Sequence, residues 1–67
     1  MLIDKELQKQ CREDAIKLVA QRRSVTQKYV REMLKKTSKD VYTTATQNAV
    51  KNWTVELYNK EMQRNYL

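Results

Sequence analysis

The chain has 67 residues and a net charge of +6, so it is read as one domain whose own core is marginal, because about 60 residues bury only about 60% of their unfolded surface. It contains no glycine, proline or phenylalanine, which removes the usual hairpin turns and phosphate-cradling loops and favours an all-helical fold. It also contains no histidine and one cysteine, Cys11, which excludes an internal disulfide, a zinc site and the commonest general base.

Ile3, Leu7 and Cys11 recur at intervals of four and predict a first helix over 4–12, with Asp4 favourably placed near the positive end of the helix dipole. Continued as one rod, that helix would set Arg12 and Arg23 inside the apolar stripe of Ala15, Ile16 and Val19. A break is therefore expected near Glu13, with Asp14 capping a second helix over 15–23. The acidic pairs, Asp4 with Glu6 and Glu13 with Asp14, read as solvated surface.

A third helix is expected over 27–36, with Thr26 as its N-cap. At about 100° per residue, Val30, Met33 and Leu34 share one face and Lys28, Arg31 and Lys35 the other, beside Glu32. The polar connection 37–40 follows, in which Thr37 and Asp40 have the spacing of a capping box with Asp in place of Glu.

From Val41 onward two apolar stripes can be traced. One is Tyr42, Ala45, Ala49, Val50, Trp53 and Leu57; the other, on nearly the opposite face, is Val55, Tyr58, Met62 and Tyr66. Two arrangements would cover both. In one, a bend near Asn52 or Thr54 makes two helices and folds both stripes inward; with or without it the expected fold is an all-α compact bundle of four to five helices. In the other, segment 54–67 is a dimerisation element, with Val55, Tyr58, Met62 and Tyr66 as the seam of a homodimer.

Charge is unevenly distributed. Residues 17–39 hold eight cations and one anion, net +7, and the rest of the chain is net −1. Such asymmetry is the footprint of a polyanion-binding face. A helix about 10–12 Å across fits the B-DNA major groove with its first turn nearest the base edges, which nominates Gln27, Lys28 and Arg31 as base contacts. Arg22, Arg23, Lys35, Lys36 and Lys39 flank them as phosphate contacts.

The stretch Ile16 to Lys35, IKLVAQRRSVTQKYVREMLK, resembles the helix-turn-helix of the phage lambda repressor and Cro-like regulators. Val19 and Ala20 take the paired inward places of its first helix, Ser24 the turn, Val25 the next inward place, and Val30 and Met33 the inward places of the recognition helix. The resemblance spans about twenty residues. It implies that Gln27 and Lys28 open the recognition helix and that Thr26 holds a phosphate. Two positions depart from the pattern. The turn usually holds Gly, because its backbone favours φ > 0, and Arg23 stands where an apolar residue is usual.

The expected function is a small sequence-specific DNA-binding protein, a transcriptional regulator of a phage or mobile element. It would act as a cytoplasmic homodimer with no cofactor, metal or enzymatic activity. No apolar run exceeds three residues, so neither a signal peptide nor a membrane span is expected. The alternative is a helical protein-interaction module (a phage adaptor, structural component or host-factor inhibitor) whose basic face meets an acidic protein. Single-strand or RNA binding ranks lower, because Tyr29 is the one aromatic in the basic segment. A membrane-surface peptide ranks last.

Overall fold

The computed structural model describes residues 5–37 and 39–66. Among these are three helices, α1 (Lys5–Arg23), α2 (Gln27–Lys35) and α3 (Val41–Tyr66), and no strand. The two long helices run antiparallel: Arg23 at the end of α1 reaches Thr46 near the start of α3, while Gln8 and Lys9 lie beside Tyr58. The molecule is 40 Å long and 22 × 17 Å across. No helix of the described residues is long and apolar enough to cross a membrane.

The four to five helices expected from the sequence are three, and both discrepancies have a physical cause. The expected break near Glu13 is absent. Cys11, Ala15, Ile16, Val19 and Ala20 form one buried stripe along α1, and it passes residues 13 and 14 without a change of phase. Asp14 is a helix-interior residue, not a cap, and accepts a hydrogen bond from Gln10 Nε2 at 3.1 Å. Arg12 is exposed at the edge of the stripe, and the long stem of Arg23 carries its guanidinium beyond the core rim. The expected contributions of Ile3 and Asp4 lie outside the described residues.

A Schellman motif ends α1. Ser24 has φ 56°, its N–H donates to Gln21 O at 3.3 Å, and the Val25 N–H donates to Ala20 O at 2.9 Å. Val25 then packs on the core, the apolar contact that commonly accompanies this motif. Two residues later α2 begins. The Thr26 hydroxyl accepts from the Tyr29 N–H at 3.1 Å, and at the far end Gln47 Nε2 donates to Met33 O at 3.1 Å and Lys36 O at 2.9 Å. A side chain of α3 thus satisfies carbonyls that a C-terminal glycine turn would otherwise serve.

Asp40, rather than Thr37, caps α3. Its carboxylate accepts from the Thr43 N–H at 2.8 Å and the Thr43 hydroxyl at 3.0 Å. From there α3 continues to Tyr66 without the bend considered near Asn52 or Thr54. Its inward line takes in part of the first apolar stripe, with Val50 buried and Ala49, Trp53 and Leu57 packed against the core, and it is completed by the buried Thr43 and Thr46, while Tyr42 and Ala45 of that stripe are exposed. The threonines tolerate burial because their hydroxyls are satisfied locally: Thr43 Oγ1 donates to Asp40 Oδ2 at 3.0 Å and Thr46 Oγ1 to Tyr42 O at 3.0 Å. Their methyl groups are left to pack.

The core consists of Ala15, Ile16, Val19 and Ala20 from α1, Val30 from α2 and Val50 from α3, edged by Val25, Leu34, Ala49, Trp53 and Leu57. Ile16 is 1% exposed, and Ile16→Ala is expected to cost about 2–5 kcal/mol in urea unfolding. Val41, at 86% exposed, should tolerate alanine within about 0.5 kcal/mol. Replacing Ser24 by glycine should stabilise by up to about 1 kcal/mol, because the left-handed backbone penalises a Cβ; a destabilised variant would contradict the turn geometry.

Candidate nucleic-acid interface

The outer face of α2 is set by the burial of its inner one. Val30 is 0% and Met33 3% exposed, and Leu34 is half-buried. The opposite surface is solvent-exposed at Gln27, Lys28, Glu32 and Lys35, followed by Lys36. On the neighbouring end of α1, Lys17 and Gln21 join Thr26 and Gln27 around a shallow polar notch. Lys17, Lys28, Lys35, Lys36 and Lys39 are all exposed, and among the described residues none of these five lysines is ion-paired.

The three arginines of the basic segment are placed differently. Arg31, expected on the outer ridge, turns to α1 and forms a two-pronged ion pair with Glu13: Nη1 donates to Oε2 at 3.0 Å and Nη2 to Oε1. The arrangement holds the Glu13 carboxyl below the usual glutamate range, chiefly through the hydrogen bonds from Arg31 and in part through its charge. The same hydrogen bonds push Arg31 upward. Arg22 is exposed and lies over the Trp53 ring, 4.8 Å from its centroid. Arg23 lies over the Tyr42 ring at 5.5 Å and donates from Nη1 to the Thr46 hydroxyl at 2.5 Å.

Beside Arg23, Tyr29 of α2 neighbours the Tyr42 side chain, and hydrogen bonding between the two phenols is the largest cause of a raised Tyr29 pKa, with partial burial second and the Arg23 charge opposing. Arg23, Tyr29, Tyr42 and Thr46 thus form a polar seam joining all three helices. Thr26, expected to hold a phosphate, accepts the α2 capping bond through its oxygen, which leaves its hydroxyl proton available to an acceptor.

Sequence patterns at helical spacing did not find Glu13, Thr46 or Gln47. Glu13 and Arg31 are separated by 18 positions, as are Gln47 and Met33 by 14, so no local periodicity links them. The one available signal was the i, i+3, i+7 recurrence of Thr43, Thr46 and Val50, which conceals a core line because two of its members are polar. Of the stripe expected as a homodimer seam, Val55 is 52% exposed, Tyr58 and Met62 are half-buried, and the Tyr66 side chain lies outside the described residues.

The chemistry open to this surface is electrostatic and hydrogen-bonding. Among the described residues no group of three or more His, Cys, Asp or Glu is gathered as metal ligands would be. Cys11 is buried; burial, followed by the charges of Asp14 and Glu61, raises its thiol pKa, which disfavours the reactive thiolate. No family model, curated protein or solved structure matches the chain.

The Glu13–Arg31 pair has a pH signature. A carboxyl whose pKa is lowered by folding contributes stability that is present above the ordinary glutamate range and lost as pH falls through the lowered folded value. Glu13→Gln should therefore lower stability at neutral pH and flatten the acid limb of the stability curve, measured by urea unfolding from neutral to acid pH. An acid limb identical to the parent's would show that the pair contributes nothing.

Proposed function

We propose that this chain is a small sequence-specific DNA-binding protein that lays α2 in the major groove, in the manner of the helix-turn-helix of lambda repressor and Cro-like regulators of phages and mobile elements. The observation that carries the proposal is the outer face of α2. It exposes Lys28 and Lys35 without carboxylate partners, and the basic segment around it contains a single acid, Glu32, among eight cations. The turn supports it. Ser24 adopts a positive φ at the place where the resemblance calls for glycine, Thr26 caps the second helix, and Val30 and Met33 fill its inward places.

The roles divide by availability. Gln27 and Lys28, in the first turn of α2, are the base readers, because they are exposed where a groove-inserted helix comes closest to base edges. Lys35, Lys36 and Lys39, with the Thr26 hydroxyl and exposed Arg22, take phosphates and set register. Arg31 holds the reading helix against α1, and Arg23 ties α1 to α3. With both guanidinium prongs on Glu13, Arg31 offers no free fork to a guanine.

A second proposal, a helical module that binds an acidic protein, is favoured by one observation. Each arginine in the basic segment is already engaged with Trp53, Tyr42 and Thr46, or Glu13, and arginine is the residue best suited to two-pronged recognition of phosphate and guanine.

Fluorescence anisotropy on a randomised duplex pool, with sequencing of the bound fraction, separates the two. For DNA, about four phosphate contacts would give a slope of log K against log salt near −3.6 per chain. Lys28→Ala should change the enriched sequence, whereas Lys36→Ala should weaken all sequences alike. No binding at low salt would overturn the DNA proposal and leave the acidic protein partner.

A further inference from the structure

On the side of the molecule away from the turn, an open channel runs between α1 and α3. Two hollows compose it, one lined by Gln8, Lys9 and Tyr58 and the other by Leu34, Val50 and Lys51, and they share Arg12, Thr54 and Val55 as a common wall. The larger has a volume of about 500 Å³. From Gln47 to Tyr58 the channel follows α3 for about 16 Å, or three helical turns at 1.5 Å per residue.

The channel has an apolar floor and a basic rim. Leu34 and Tyr58 are half-buried in it and Val55 is 52% exposed, a large β-branched side chain facing water midway along. Lys9, Arg12 and Lys51 stand around it, all exposed. Among the described residues no carboxylate lines either hollow, and none of the three cations is ion-paired. Of the acids on the two helices, Glu13 pairs with Arg31 and also feels the charges of Arg12 and Lys9, Asp14 accepts from Gln10, and Glu61 pairs with Arg64.

We propose that this channel is a docking site for an acidic amphipathic helix of a partner protein, its apolar residues on Leu34, Val55 and Tyr58 and its carboxylates toward Lys9, Arg12 and Lys51. Charge selects this occupant. A DNA backbone would satisfy the cations but leave the apolar floor unfilled. A second copy of the chain would fill the floor, but a two-fold axis through Val55 and Tyr58 would bring a basic, carboxylate-free rim against itself, and like charges across an interface oppose association. A helix carrying apolar residues at i, i+3 or i+4, and i+7 with intervening Glu or Asp satisfies both requirements, and the groove between two helices is a common seat for such a segment. The site does not involve the outer face of α2.

The test is a selection of random dodecapeptides displayed against the full chain, followed by anisotropy of the enriched peptides. The expected result is enrichment of sequences with helically spaced apolar residues and intervening carboxylates. The double variant Arg12→Glu/Lys51→Glu should weaken them about tenfold or more, and Val55→Asp should do the same, each with parent-like circular dichroism. Lys28→Ala should leave peptide binding unchanged, which separates this site from the DNA-binding proposal. Enrichment without acidic preference, binding indifferent to the double variant, no enrichment, or a concentration-dependent dimer in sedimentation that Val55→Asp abolishes would each overturn the assignment.

Discussion

The structure depends on the burial of Val30. α2 has nine residues, shorter than the about 12–15 at which an isolated helix becomes even marginal in water, so it exists because tertiary contacts hold it. Val30, at 0% exposed, sits in the core formed by Ile16, Val19 and Ala20 of α1 and Val50 of α3. The small alanines of α1 let the backbones come close enough for one valine to serve all three helices. The polar ties around α2 secure that plug: the Thr26 cap at its start, Gln47 on its last carbonyls and Arg31 on α1. None of these ties would form without the plug, since each needs α2 already seated.

What could be read in the sequence is what local rules decide. α2 emerged with its N-cap, its phase and nearly its length, because a nine-residue amphipathic helix announces itself within its own span. The break between Arg23 and Gln27 was legible by the same logic, whereas a turn centred on Ser24 came only from the helix-turn-helix resemblance, and serine there is the less comfortable residue. The two long helices were harder, and for opposite reasons. In α1, the apparent conflict of Arg12 and Arg23 with the apolar stripe suggested a break, but an arginine stem can follow a core edge and deliver its charge elsewhere, as Arg23 does at Thr46. In α3, the buried line runs through Thr43 and Thr46, which count as polar in any pattern. Their hydroxyls are silenced by Asp40 and by a carbonyl one turn back, so the inward face begins on two threonines and continues through Val50, with Trp53 and Leu57 of the first stripe packed against the core.

The candidate interface was legible as a region and not as a division of labour. Sequence position gave eight cations equal weight, whereas the fold separates them by chemistry. All three arginines of the segment are engaged, on a ring, on a ring and hydroxyl, and on a carboxylate, which are the partners a planar, weakly hydrated guanidinium takes readily. All five lysines stay exposed, as strongly hydrated point charges do. The surface proposed to meet a polyanion is therefore one of exposed ammonium groups. Its affinity for phosphate would be strongly salt-dependent, and its discrimination would rest on few side chains.

The same proportion that makes α2 presentable leaves the channel beside it open. A nine-residue helix cannot cover a hairpin whose second arm has 26 residues. It seals the end where α1 meets the start of α3, and there the core is closed on three sides. Beyond Val50 only two helices face each other, and two cylinders in contact always leave a furrow along each side. Leu34 marks where α2 stops shielding it, and Val55 and Tyr58 lie along the unshielded length. A longer α2 would bury that furrow but would also lose the short, exposed helix with its lysine face. The exposed lysine face and the open channel are thus two consequences of one short helix pinned at one end of a long pair.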